Sequence, residues 1–600
     1  MMGAVLRQAT LWCCAWTMGL LPLTAAQLWC IDPVHGNDGA AGTEAAPWKS
    51  FEPLNKLTLH AGDRVVVQPG TLTASLAPKA EGTAENPVRI EFRKGVYHWQ
   101  PAGLVKKTLA ISNTNDCPEE AKAIAMDWVG AEHVSVSGDG SLFFCRGKMV
   151  QIHMERCLDM RFRGFAFDYA RPTVSECKAI EVTADHALLE VHPDSPYRLE
   201  KGKLIWLGEG WELPEEECWV QTVSADGKCA RRGGPYMDDG TFTELRPRLL
   251  RYDFPEGYAR RKMKFQQGCT YQHRAYTRDC CGVFCDRSAD IVYENVTFRF
   301  MHGMGIVSQF SRDITLRRLT VAPRAESGRT SAAWADILHF SGCAGQIRVE
   351  NSLLSCANDD AINVHGTHLR LIRKRSGNRV VVRFMHPQTW GFPAFFAGDE
   401  VQFTAADTLL SLGSAVVTEA HLLGDGHEME LTLDRPLPEG VRLGQDVLEN
   451  ISYTPAVSVD NCTVRHITTR GFLLTTRRPV RITNTVFDRT GMSALLMEND
   501  AEFWYESGPV KDMEVRGCTF IECATPVVNF NPHNSAHGGA VHENARVTGN
   551  TFLLRAADDC ALHARSSKDI LFRDNRFPNF PAWHPERVLQ LDSENITLIK

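Results

Sequence analysis

Three aspartates are the residues of this chain best suited to chemistry. Asp336 opens the phrase Asp-Ile-Leu-His-Phe-Ser-Gly (336–342). Asp360, directly after Asp359, opens Asp-Ala-Ile-Asn-Val-His-Gly (360–366). Laid over each other, the two read D-x-Φ-x-Φ-x-G (Φ, apolar), with 24 residues between Asp336 and Asp360. Hydrolysis of a glycosidic bond needs one protonated carboxyl to feed the leaving oxygen and one ionised carboxylate to activate water or attack the sugar. Like charges held close together split their pKa values and keep one group protonated near neutrality. Trp334, His339, Asn363 and His365 flank the aspartates and offer an aromatic face and hydrogen-bonding groups suited to a sugar ring. Glu498 and Asp500, in the loop MENDAEFWYE (497–506), are further carboxylates for substrate contact.

Each residue also has a plainer reading. An Asp at the start of a strand caps a turn. Three in register on neighbouring units, as Asn-Asp-Asp followed by His-Gly, exceed what capping requires. His365 alone reads as a residue that orients a neighbour. Trp390, Trp504 and Trp583 read as packing. Strict alternation gives Asp360 the inward parity of Ile362 and Val364 and turns Asp359 outward, unless a bend breaks the alternation.

An internal repeat positions these groups. A phrase of alternating apolar residues with a polar centre recurs at Met160–Phe167, Ile291–Phe298, Ile314–Val321, Ile347–Leu354, Val457–Val464, Val480–Phe487, Met513–Phe520, Ala545–Phe552 and Ile570–Phe577. Period-2 alternation is the signature of strand, and the central Asn or Gly suits a bend with left-handed dihedrals. Strand, bend, strand and loop in about 22–26 residues make one coil of a parallel β-helix. Asp336 and Asp360 then stand on adjacent coils at one place around the helix, roughly 4.8 Å apart in strand spacing.

Two stretches interrupt the repeat. They divide the chain into N-terminal coils (27–172), an inserted β domain (173–276), the coils carrying the aspartates (277–371), a second inserted β domain (372–451) and C-terminal coils (452–600). Each insertion has the strand alternation of a small β-barrel or sandwich, and the second is placed to wall one side of the site. Residues 1–26 read as a signal peptide: Arg7, a short apolar run, then Ala25 and Ala26. That predicts export to a periplasm or beyond. No later run is long enough to span a membrane. A net charge of −7 argues against general affinity for nucleic acid or anionic membranes. Of 19 cysteines, many fall inside repeat phrases, as small core fillers do, and Cys280, Cys281 and Cys285 lack zinc-site spacing.

The run ADILHFSGCAGQIRVENSLLSCANDDAINVHGTHLRL resembles the core of the glycoside hydrolase 110 family, the α-1,3-galactosidases. The resemblance is close over about 280–375 and extends along the chain. It implies a right-handed parallel β-helix with inserted β-barrels, and exo-acting, inverting, metal-independent removal of terminal α-1,3-linked galactose from blood-group-B-type glycans, without a cofactor. It makes Asp336, Asp359 and Asp360 catalytic. A more distant likeness to polygalacturonases makes Asp359 the general acid, with Asp336 and Asp360 holding and deprotonating water. The resemblance leaves open whether linear Gal-α-1,3-Gal is accepted beside the fucosylated, branched glycan. Two other readings stay open. A pectinase-like hydrolase would want cations beside the aspartates, for which the motif offers Arg370, Arg373 and Lys374. A β-helix glycan-binding protein would have no need of three aligned carboxylates.

Overall fold

The computed structural model describes residues 26–599. The expected signal peptide lies, but for Ala26, outside the described residues. Within them the regular structure is nearly all strand, with short 3-10 turns and no α-helix.

Every repeat phrase pairs in parallel with the next, residue for residue. Met160 pairs with Ile291, Ile291 with Ile314, and Ile314 with Ile347. Ile347 pairs with Val457, Val457 with Val480, and Val480 with Met513. Met513 pairs with Ala545, Ala545 with Ile570, and Ile570 with Ile596. The polar centre of each phrase is a corner. Asn295, Arg318, Asn351, Asn461 and Asn484 all adopt positive φ between 50° and 54°. The strand before the corner turns there into the next face of the helix, as Ala289–Glu294 turns into Thr297–Phe298. Asn is the residue that most readily bears this strain after Gly. The final Phe of successive phrases stacks inside the coil, Phe487 on Phe520 at 5.1 Å and Phe520 on Phe552 at 4.8 Å. The described cysteines are free thiols, most of them buried.

A third face of the coil carries the site. Its strands are β1 (Met304–Gln309), β2 (Leu338–Ser341), β3 (Ile362–Lys374), β4 (Phe472–Leu474) and β5 (Leu495–Met497). Ile306, Leu338, Ile362, Phe472 and Leu495 stack in one parallel column and are buried in the core.

Both insertions are antiparallel β. The first folds into a seven-stranded and a three-stranded sheet between Ser175 and Ala275, around its own core. The second is a closed barrel whose first strand is the far half of β3. β3 thus leaves the helix after Val364, pairs Gly366 and Thr367 with Ser507 and Glu506, and enters the barrel at His368. Gly366 is required there: a Cβ would lie 2.5 Å from Ser507 Oγ.

Candidate active site

Asp336, Asp360 and Arg470 occupy one corner on three consecutive coils, each two residues before its strand. Leu338 pairs with Ile362, and Ile362 with Phe472, which sets the three in file. The stacking is hydrogen-bonded: the Ile337 amide donates to the Asp360 carbonyl at 2.9 Å. The Asp360 amide donates to Asp336 Oδ1 at 3.1 Å. Because these residues precede their strands, alternation does not apply to them, and Asp360 escapes the inward parity of Ile362. All three aspartates are buried, at 3 %, 3 % and 1 % exposure for Asp336, Asp359 and Asp360. An oxygen of each lies within 4.8 Å of the other two.

The three carboxyls are held differently. Asp360 takes a forked pair from Arg470, Nη2 to Oδ2 at 2.7 Å and Nε to Oδ1 at 2.9 Å, and a bond from Thr469 Oγ1 at 2.5 Å. Asp359 turns toward the first insertion. Arg232 Nη2 donates to its Oδ1 at 2.6 Å, and Arg278 Nη2 to its Oδ2 at 2.9 Å. Asp336 has no guanidinium among these bonds; its Oδ2 meets His339 Nδ1 at 2.9 Å. The electrostatics follow. Burial, reinforced by the charge of Asp359, pushes the Asp336 carboxyl up to about 7. Burial raises Asp360 to about 6 against the pull of Arg470. Burial works against ionisation of Asp359 too, but Arg232, Arg278, Arg470 and Arg274 overcome it and hold the group down at about 2. Asp336 and Asp360 therefore hold a proton more tightly than Asp359, which stays ionised.

Residues 379–448 match the family described as GLAA-B beta-barrel domain II. The chain is 40% identical to alpha-1,3-galactosidase A of Akkermansia muciniphila, over 92% of this chain and 91% of that protein. It is 36% identical to alpha-1,3-galactosidase A of Bacteroides thetaiotaomicron, over 83% of this chain and 87% of the other. The chain belongs to the α-1,3-galactosidase family. It is also similar to a solved family 28 exopolygalacturonase of Yersinia enterocolitica, at 9% identity and TM-score 0.34, covering 95% of this chain and 78% of that one. As a member of a galactosidase family the protein is a glycoside hydrolase acting on α-galactosides.

Around the three aspartates the cavity is lined by Asn113, Arg232, Arg278, Asn363, Arg470, Leu473, Glu498, Trp504 and Glu506. Of the residues expected to touch sugar, Asn363 and Glu498 line it. Burial pushes Glu498 up to about 7, with Arg470 pulling the other way. Trp334 does not face the cavity: it is 1 % exposed, with the Arg274 guanidinium 4.1 Å from its ring. It supports an arginine rather than a sugar. His339 and His365 are equally buried and stand behind the aspartates, Nε2 to Nε2 at 3.0 Å. Asp500 caps a turn, accepting from the amides of Glu502 and Phe503 at 2.7 and 3.0 Å.

The cations beside the aspartates are not those the motif suggested. Arg370 is bonded to Tyr505 Oη, Arg373 to Glu428, and Lys374 is exposed. Arg232, Arg278 and Arg470 serve instead. Arg470 had a signal: Arg-Gly-Phe-Leu-Leu (470–474) carries the same x-Φ-x-Φ phase as the two Asp phrases, with Arg in place of Asp. Arg232, on an edge strand of the first insertion, had none.

Trp504 is the aromatic residue at the cavity. It is 38 % exposed, stacked on His386 of the barrel at 4.1 Å, with the Arg278 guanidinium 5.5 Å from its ring. Glu506 lies in a polar frame: Asn113 Nδ2 donates to its Oε1 at 2.7 Å, and Thr389 of the barrel donates to Asn113 Oδ1 at 2.7 Å. An N-terminal loop, both insertions and the loop before Glu506 thus converge on the aspartates.

Proposed function

We propose that the protein is an exo-acting, inverting α-1,3-galactosidase of blood-group-B-type glycans, with the fucosylated, branched glycan as its main substrate and linear Gal-α-1,3-Gal as a second. The observation that carries the chemistry is the triad of buried carboxyls with unequal proton affinity, set in a cavity lined by side chains from separate parts of the chain. In this reading Asp336 and Asp360, side by side at one corner, hold and deprotonate the water. Asp359 protonates the leaving oxygen.

Asp359 must first gain a proton. With the Asp359 carboxyl held low by its arginines and that of Asp336 raised by burial, the state with the first protonated and the second ionised is a minor one in plain titration. We assign the change to substrate entry: Arg232, whose side chain is 30 % exposed, is the partner a bound glycoside displaces, and loss of one cation raises the Asp359 carboxyl. Inversion rests on the family resemblance, not on spacing, because the carboxyl oxygens within 4.8 Å stand closer than the ~6.5–9.5 Å common in inverting pairs.

Metal-independence fits the charges. Arg232, Arg278 and Arg470 already engage the oxygens of Asp359 and Asp360 that a dication would need. A uronate substrate is disfavoured because Arg278 and Arg470 are committed to carboxylates of the protein. The test is galactose release from the branched blood group B trisaccharide and from linear Gal-α-1,3-Gal, with and without chelator. Release from the trisaccharide, unchanged by chelator, supports the proposal. A folded protein that releases galactose from neither glycan overturns it.

A further inference from the structure

Behind Asp336 lies a line of buried groups that none of the roles above uses. His339 Nδ1 is 2.9 Å from Asp336 Oδ2, His339 Nε2 is 3.0 Å from His365 Nε2, and His365 Nδ1 is 2.7 Å from the Gly366 carbonyl. At the far end, His365 Nε2 stands 3.6 Å from Glu506 Oε1. His339 and His365 are 0 % and 1 % exposed, so water does not interrupt the line.

The bonds fix the hydrogens. A carbonyl only accepts, so His365 Nδ1 carries a hydrogen. If both rings are neutral, His365 Nε2 is bare and accepts from His339 Nε2–H. His339 Nδ1 is then bare and accepts in turn, and the hydrogen in that bond belongs to Asp336. One concerted shift gives a second arrangement of equal hydrogen count. The Asp336 O–H bond breaks as His339 Nδ1–H forms, and His339 Nε2–H breaks as His365 Nε2–H forms. Asp336 is now a carboxylate, His339 is neutral again, and His365 is a cation beside Glu506.

We infer that His339 and His365 are positioning residues that form a buried proton relay, moving the proton of Asp336 to a His365–Glu506 ion pair and so freeing Asp336 to deprotonate water. The inference rests on the proposed role of Asp336 as base. The surroundings suit both ends. Asp336 is faced by Asp359, Asp360, Arg278 and Arg470, and His339 by Asp336, Asp360, Arg278, His365 and Glu506. Burial and then His365 press His339 down to about 3, which makes it a conduit rather than a store. Burial alone would raise Glu506, but His365, His339 and Asn113 outweigh it and keep the carboxylate ionised for the cation. In turnover, the water proton goes to Asp336 as the oxygen–carbon bond forms, and the Asp359 proton goes to the leaving oxygen. Release of one proton and uptake of another then reset the site.

The test is the pH dependence of kcat in His365→Gln and in the isosteric Glu506→Gln, with wild type alongside. Without the relay, Asp336 must lose its proton to solvent. Relative to its own rate at pH 8, each variant should fall about tenfold per pH unit below 7, while wild type holds its rate toward pH 6. Equal loss at every pH, or no change in the acid limb of Glu506→Gln, overturns the relay. Galactose release by wild type in the same assay keeps that failure distinct from failure of the galactosidase reading. Glu506→Gln changes no volume and carries the test if His365→Gln does not fold.

Discussion

Arg470 stands on the coil after Asp360 and grips it side-on, Nη2 to Oδ2 at 2.7 Å and Nε to Oδ1 at 2.9 Å. Asp360 is buried and the bond is forked, so neither partner is replaceable by a simple charge. Arg470→Met should raise the Asp360 carboxyl further above its present value of about 6 and lower kcat by ~10²–10³, with Arg470→Lys recovering only part. In a cycle with Asp360→Asn the two losses should be far from additive. Additive losses would mean that Arg470 acts on the substrate and not through Asp360.

Arg232 and Arg278 hold the same carboxylate with different exposure, 30 % against 13 % of the side chain. Arg232→Ala should raise the Asp359 carboxyl in the free enzyme and move the acid limb of kcat/KM upward, while kcat, read in the complex where the glycoside has already displaced Arg232, keeps its pH profile. Arg278→Ala removes the more enclosed partner of that carboxylate and should cost several times more in thermal stability. A downward shift of that acid limb, or a shifted pH profile of kcat, in Arg232→Ala would contradict the role of Arg232 as the displaced partner.

Trp504 offers the exposed aromatic face at the cavity, braced by His386 at 4.1 Å. Trp504→Ala should raise KM about tenfold with little change in kcat, the behaviour of a binding surface that treats ground and transition state alike. His386→Ala should reproduce a smaller part of that rise. A fall in kcat at unchanged KM would place Trp504 in the chemistry instead.

Glu498 sits near 7 in the folded protein against an ordinary 4.5, so the folded state binds its proton more tightly than the unfolded chain. That stabilises the fold fully below about pH 4.5, and the benefit is lost as pH rises through 7. Glu498→Gln should therefore raise the melting temperature by roughly 1–3 °C at pH 8 and leave it unchanged at pH 4. Melting curves at the two pH values decide it, and a larger gain at pH 4 would reverse the sign.

The helix was legible because its repeat keeps phase across both interruptions. Met160 pairs with Ile291 across one insertion and Ile347 with Val457 across the other. The aspartates were legible because they fall on adjacent coils with nothing between them. Arg470 stacks on Asp360 in space but follows it by 110 residues, since the barrel intervenes. The arginines on Asp359 include Arg232, which lies in an insertion with no repeat phase. His339 and His365 sit on the outward parity of β2 and β3, and only the tertiary structure reveals that Asn113, Ser112 and Glu506 cover that face. Trp334 is near Asp336 in sequence but packs on the far side of Arg274.

The most direct test of the central claim, Asp359 as proton donor and Asp336 with Asp360 as the water site, uses leaving groups of different need. Asp359→Asn and Asp336→Asn would be assayed on the blood group B trisaccharide and on dinitrophenyl α-galactoside, with proton NMR following the anomer first released. The account predicts loss of at least ~10³ for Asp359→Asn on the trisaccharide, much smaller loss on the activated substrate, equal loss on both for Asp336→Asn, and β-galactose first from wild type. Leaving-group rescue of Asp336→Asn instead of Asp359→Asn, or α-galactose released first, would contradict it.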